Sequence, residues 1–519
     1  MLKKFLVIVV ISVLVTMANL VSAETPKPGG SINVVIQPEP PGLMLGLLQN
    51  GPTQMVAGNI YEGLLRYDND LNPMPSLATK WEITEDGTVY TFHLKKGVIW
   101  HDGEPMTAAD VIFTATEFLT VSHPRWRVTK GKVEKIEALD DYTVRFTLKQ
   151  PFGPFLGAFE VGSMPIIPKH IYAGTDFKTN PANNHPIGTG PFKFNEWKKG
   201  SYIHLVKNEA YHIDGQPYLD GIYWHVIPDA AARAVAIETG KVDVLVPGSI
   251  EYWDIPRLTK RDDICMTSKG REFFAPHCWM WINNRNAPMS DKRFRQAIMY
   301  AINREFIREA VWNGMGGIPT GPISSKTRFY DDDVKKYPHD PGKAKALLKE
   351  MGYDGTPVRL LPLPYGETWQ RFAEVVRQNL LDVGIKVKMV ATDVAGWNQK
   401  QNEWDFDLAF TYLYQYGDPA LGVARSYITS NIAKGSPWNN VGGYSNAKVD
   451  ELFAKAAIAY PDAKRQELYT EVQKILAEDV PVAWLLELDF PTIHRCDVKN
   501  LINTGIGVNN GFVDAWIDR

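Results

Sequence analysis

Tyr90, Phe92 and Leu94 alternate with Thr91 and His93, and Tyr142, Val144, Phe146 and Leu148 alternate with Thr143, Arg145 and Thr147. Apolar residues at a period of two on one face predict half-buried strands. They bracket a stretch, 108–118, that predicts a helix, so this region reads as a small α+β unit with an antiparallel sheet. Ahead of it, Ser31–Ile36 predicts a strand that runs into a loop rich in proline, Gln37-Pro38-Glu39-Pro40-Pro41-Gly42. From about residue 222 the pattern changes to strands alternating with helices. Residues 222–227 form a strand, Asp229 caps a helix that runs to Glu238, Gly240 ends it, and 242–245 is the next strand, a βαβ unit.

A second array starts at a helix whose apolar face is Phe294, Ile298 and Ile302, with Ser290 as its expected cap. Asp340-Pro341 opens another in cap-then-proline order and Gly352 stops it. There follow strand 358–361, helix 368–383, strands 385–390 and 406–413, helices 446–459 and 462–478, and a last strand through 483–488. This order predicts a doubly wound parallel sheet. Two α/β lobes joined in one chain predict a cleft.

A chain of 519 residues has room for two to four domains, and 45% hydrophobic against 22% charged residues is an ordinary globular balance. The net charge of -3 lacks the basic excess of a phosphate-backbone binder, so nucleic acid is not an expected partner. Lys3 and Lys4 precede an apolar run, 5–15, and Val21-Ser22-Ala23 offers compact residues at the positions a signal peptidase reads. The run is too short to span a bilayer, which takes roughly 20 residues. Residues 1–23 therefore read as a cleavable signal peptide. No cysteine follows the cleavage point to carry a lipid, and a free, soluble, periplasmic protein is expected. The three cysteines, Cys265, Cys278 and Cys496, show no CxxC and no zinc spacing, and their odd number excludes a disulfide scaffold. Cys265 and Cys278 are not expected to pair.

Ligands of open α/β sheets sit beyond the carboxyl ends of the strands, where loops and helix N-termini converge. The loop after strand 406–413 is thus the first candidate: Tyr414-Gln415-Tyr416-Gly417-Asp418-Pro419, a set of stacking and hydrogen-bonding groups, or else a plain turn capped by Asp418. The second is Gly188-Thr189-Gly190-Pro191, whose glycines allow either a lobe crossover or close approach of a ligand to the backbone. Most of the fifteen tryptophans belong in the core, but Trp281, on one strand face with Trp279, and Trp404 and Trp438, in or near loops, are candidate contacts. Asn283 and Leu43 complete the set. There is no HExxH, GxSxG or P-loop, and no cofactor, metal site or catalytic residue is expected. His101-Asp102-Gly103 reads as a turn, and Asp331-Asp332-Asp333 as a solvated loop without calcium-loop spacing.

Leu77-Ala78-Thr79-Lys80-Trp81, Thr88 to Lys95, and Trp100-His101-Asp102-Gly103-Glu104-Pro105-Met106-Thr107-Ala108-Ala109-Asp110-Val111 resemble the signature block of the extracellular solute-binding proteins, family 5, of ABC importers for dipeptides, oligopeptides and nickel. Gly188-Thr189-Gly190-Pro191-Phe192, Glu238-Thr239-Gly240-Lys241-Val242-Asp243 and the stretch around Arg295-Gln296-Ala297 extend the likeness from about Gly30 to the C-terminus. The resemblance implies a two-lobed periplasmic binding protein with hinge-linked lobes and an extra small α+β domain. Lobe I would comprise 24–54, 187–286 and 490–519, the inserted domain II 55–186, and lobe III 287–489. It implies a monomer that closes on a small polar organic solute, peptide or peptide-like, and presents it to a membrane permease. Peptide-binding members place an aspartate after the strand matching 406–413, where it pairs with the peptide's free amine. Here that position holds Gln415, a neutral amide that cannot make the stronger charge-assisted bond. Unless Asp418 takes over, an oligosaccharide, an opine-like conjugate or a metal chelate gains ground as ligand. An exported hydrolase using the same cleft is the rival from another class, and it would turn its solute over.

Overall fold

The structure, a computed structural model, describes residues 25–436 and 438–519; the signal-peptide segment 1–23 and its cleavage point lie outside the described residues. Ser31–Ile36 forms the middle of a seven-stranded sheet. It runs parallel to Gly221–Val226 on one side and Val244–Leu245 on the other, while the outer strands are antiparallel. The buried side chains of this strand divide between two cores: Val35 packs in the core that extends into lobe III, and Ile32, Val34 and Ile36 in the core shared with the small domain. A period-two strand has two faces, and this one uses both.

The small domain is the expected antiparallel unit, with strands in the order Ala78–Ile83, Val89–Leu94, Thr143–Leu148, Val133–Asp140. Both alternating strands bury every second residue. The helix expected over 108–118 begins at Ala108 on a Thr107–Asp110 capping box, but widens at Thr114–Phe118 into a π-helical turn.

Lobe III is a five-stranded sheet in the order Val387–Met389, Val358–Leu361, Leu408–Leu413, His277–Ile282, Val482–Glu487. Only the first three run parallel; His277–Ile282 is antiparallel to both its neighbours, so the doubly wound parallel sheet expected from the element order is in fact mixed. His277–Ile282, expected within lobe I, lies in this sheet instead. Its six residues, HCWMWI, are buried on both faces, which suits a strand flanked on each side and covered above and below. The helix Lys292–Ala301 is capped by Asp291, not Ser290: the Asp291 carboxylate accepts from the Arg293 backbone N–H at 2.8 Å. Asp229, Asp340 and Gly352 act as expected.

The chain crosses between the two large sheets twice, at 268–276 and at 488–491. Beside the first crossing a disulfide joins Cys265 to Cys496, leaving Cys278 buried and unpaired in the fourth strand of the lobe III sheet. The partner of Cys265 could not be read from spacing, because it lies 231 residues away and is brought adjacent only by the pairing of Ile264–Thr267 with Thr492–Arg495. Cross-linking across so long a loop restricts the unfolded chain, so Cys265→Ser with Cys496→Ser is expected to cost about 2–4 kcal/mol. Thermal melts of the oxidised protein and the double variant check this; coincident curves would refute it.

Candidate functional site

Leu408–Leu413 ends at the crevice between lobe III and the rest of the molecule, and the loop that follows is held there by its own backbone. Gln415 N donates to Phe274 O at 2.7 Å, Tyr416 adopts φ 53°, and Asp418 caps the short helix Pro419–Gly422 through Ala420 N at 2.9 Å. Tyr414 and Tyr416 project into an aromatic cluster with Phe273 and Phe274 of the first crossing, with ring centres 5.3–6.5 Å apart. The loop and the first crossing therefore share one packed interface.

Two cavities open beside Tyr416. The larger, about 520 Å³, lies between the small domain, which contributes Arg125, Trp126 and Phe152, and lobe III, which contributes Tyr416, Arg425 and Trp438. The smaller, about 360 Å³, is lined by Tyr90 and Leu156 on one side and Gly417, Asp418 and Tyr460 on the other. Both volumes suit a small organic molecule.

Of the residues expected from sequence, the structure brings Tyr416, Trp438 and Asp418 to the walls of these cavities and Tyr414 to the adjoining cluster. The others have different work. Gln415 is buried and fully engaged: its Nε2 donates to His277 Nδ1 at 2.9 Å and Pro322 O at 3.0 Å, and its Oε1 accepts from Ser324 N at 2.9 Å. Burial pushes the His277 imidazole down to about 3, leaving it neutral and able to accept that bond. Asp418 is equally committed, since Arg465 Nη1 and Nη2 donate to its two oxygens, each at 2.8 Å. It does not take over as a carboxylate open to an amine.

Asn283 is buried and donates to Trp404 O and Phe406 O, tying strand ends together inside lobe III. Trp404 turns the C-terminus of helix Val394–Glu403 at φ 63° and carries the Arg285 guanidinium 3.7 Å over its ring. Trp281 is buried against Trp397 and, through it, Trp438, so it backs the cavity wall without reaching the surface. Leu43 belongs to the core. Gly188 and Gly190 make the crossover from the small domain: a Cβ on Gly188 would stand 2.0 Å from Ile60 O, and one on Gly190 2.6 Å from the same atom. The close approach their glycines permit is of backbone to backbone. Thr189 donates to buried Glu62 at 2.9 Å. His101-Asp102-Gly103 is a turn, with Gly103 N donating to Trp100 O and Gly103 at φ 99°.

Sequence reasoning missed Arg125, Trp126, Arg271 and Arg425. Arg125 and Trp126 lie on helix Pro124–Lys132 of the inserted domain, where no loop-after-strand rule applies. Arg271 sits in the crossing segment, its guanidinium 4.5 Å over Phe274 and its Nη2 donating to Tyr414 Oη at 3.2 Å.

Two large sheets linked by two chain crossings, with ligand-sized aromatic cavities where the small domain and lobe III face each other, define a protein built to enclose a small molecule. Residues 72–435 match the family profile of the bacterial extracellular solute-binding proteins, family 5, and the chain belongs to that family. It is 29% identical over 443 residues to a glutathione-binding protein of Pectobacterium atrosepticum, covering 83% of this chain and 84% of the relative. Among solved structures it resembles a periplasmic binding protein of Helicobacter pylori in complex with the peptide STSA, with TM-score 0.81, 26% identity, and 95% and 99% of the two chains covered. It also resembles a binding protein of Agrobacterium tumefaciens R10 in complex with agropinic acid, with TM-score 0.79, 25% identity, and 94% and 99% covered.

Proposed function

We propose that the protein is the periplasmic substrate-binding component of an ABC importer, exported through the leader at 1–23, which captures a peptide-like organic solute and hands it to a membrane permease. The observation that carries this reading is the cavity of about 520 Å³ whose walls come from both the small domain and lobe III. A solute touching both units favours the closed arrangement by the difference in its affinity for the closed and open states. The two crossings at 268–276 and 488–491 act as the hinge. Because Phe273 and Phe274 of the first crossing pack on Tyr414 and Tyr416, contact with the solute and hinge position are coupled through one aromatic cluster. No bond in the solute need be broken for this cycle.

Native mass spectrometry of the mature protein, purified without refolding, should show a discrete added mass that disappears on denaturation and washing. Tyr416→Ala removes an aromatic wall of both cavities, and a stacking contact is worth about 0.5–1.5 kcal/mol beyond the area it buries. Solute affinity should fall by about tenfold with the fold intact by circular dichroism. Unchanged affinity would remove this cavity from consideration. Release of a chemically altered solute would instead favour the hydrolase.

A further inference from the structure

We infer that the solute is an anion, carrying a carboxylate or equivalent oxyanion beside an apolar part, and that Arg125 and Arg425 receive that group in the larger cavity. This rests on the solute-binding reading above and adds the ligand's charge.

Among the described residues, the cavity wall contains two guanidinium groups and no carboxylate. Both stand by the same ring, Arg125 at 4.5 Å and Arg425 at 5.7 Å from the centre of Tyr416. Among the described residues neither makes an ion pair with an acid. Arg295, a buried arginine of lobe III, spends all three nitrogens on the backbone oxygens of Met289, Ser290, Asp479 and Val480. Arg125, by contrast, donates only from Nη2, to Gly162 O at 2.7 Å, and its Nε is buried without a partner. Arg425 donates from Nε to Gly422 O and from Nη2 to Tyr414 O, at 3.1 and 3.3 Å.

Arg125 acts on one buried acid, Glu160, which lies outside the cavity wall and is already occupied by Gly162 N and Ser163 Oγ, each donating at 2.6 Å. Burial pushes the Arg425 pKa down; Tyr416 opposes this, and the neighbouring charge of Arg125 adds a smaller push downward. Two like charges held half-buried around one ring repel, and an anion between them relieves the repulsion. A cationic ligand finds nothing comparable, since Gln415 is neutral and saturated and Asp418 is bound by Arg465. Trp126, Phe152 and Trp438 complete the wall with apolar faces, so the anion has to be an amphipathic organic one.

The test compares three probes of one skeleton, N-acetyl-Ala-Phe, Ala-Phe and Ala-Phe amide, together with size-matched panels of N-acyl dipeptides, sugar acids and opines on one side and peptide amides and polyamines on the other. Thermal shift and calorimetry on the full mature chain provide the readout. The best binder should be anionic, and within the matched trio the N-acetylated acid should bind at least about tenfold more tightly than the amide. Arg425→Met should weaken the best anionic binder by about 10–100-fold, and Arg425→Lys by less, since one charge remains without the planar fork. Arg125→Met, in the small domain, is the second variant should Arg425→Met fold poorly. A best binder that is cationic or neutral, or an anion bound equally by both variants, would overturn the inference while leaving the solute-binding reading standing. No shift with either panel would count against the solute-binding reading itself.

Discussion

Replacing Arg465 by methionine is expected to destabilise the protein by about 3–5 kcal/mol, the range for removing one partner of a buried ion pair. Arg465 is fully buried on the helix Asp462–Asp479. It holds Asp418 by two parallel bonds of 2.8 Å and donates from Nε to Ala456 O at 3.0 Å. Phe329 lies 4.6 Å below its guanidinium, and Gly153 of the small domain passes so close that a Cβ there would stand 2.7 Å from the same group. Without the arginine, the Asp418 carboxylate keeps only the Ala420 N–H and is left charged in a buried site. The loop from Tyr416 to Asp418 should then loosen, and solute affinity fall along with stability. The double variant Arg465→Met with Asp418→Leu removes both charges and should recover most of the stability. Urea unfolding of the three proteins decides the matter: a single variant within about 1 kcal/mol of the parent would show that this pair does not hold the loop.

Glu62→Gln should produce the second large effect, a loss of about 2–3 kcal/mol at neutral pH. Glu62 is buried where the small domain returns to lobe I, and His212, Tyr211 and Thr189 all bond to its carboxylate, at 2.9–3.0 Å. Burial alone would raise its pKa; the charge and hydrogen bond of His212, with the hydroxyls of Thr189 and Tyr211, outweigh burial and hold it below the usual glutamate value. A depressed carboxyl pKa stabilises the fold above the unfolded-state value, and the contribution is lost as pH falls through the folded-state value. The melting temperature of the parent should accordingly drop on acidification below the ordinary glutamate range, and the gap between parent and variant should narrow there. A gap that stays constant from neutral pH to pH 3 would show that the charge of Glu62 contributes nothing.

These two clusters mark where reading the sequence stops. Glu62, Thr189 and His212 are spread over 150 residues, and no local pattern links them. Arg465 sits in the first turn of a helix whose span was legible, yet nothing along the helix shows that its side chain reaches back to Asp418. Asp418 itself was correctly placed after the strand, and its cap at Pro419 was readable, because capping is decided within three residues. Gln415 was found by position, but its amide was expected to face the solute. Its three partners come from the segments at His277, Pro322 and Ser324, so only packing could turn it inward. Trp281 was correctly put on a strand. That the strand is an interior one, flanked on both sides, and hence that the indole is buried, followed from its antiparallel pairing with Leu408–Leu413 and with Val482–Glu487, two hundred residues on.

The sequence by itself determined most of the elements and their order, the alternating small domain, the caps at Asp229 and Asp340, and the family, because periodicity, capping and signature blocks are short-range properties of the chain. The tertiary structure alone decided that Cys265 meets Cys496, that lobe III is mixed rather than parallel, and that Arg125 and Arg425, three hundred residues apart, stand over one tyrosine ring. Those facts depend on which distant surfaces pack together, and the free energy that chooses among packings belongs to the whole chain at once.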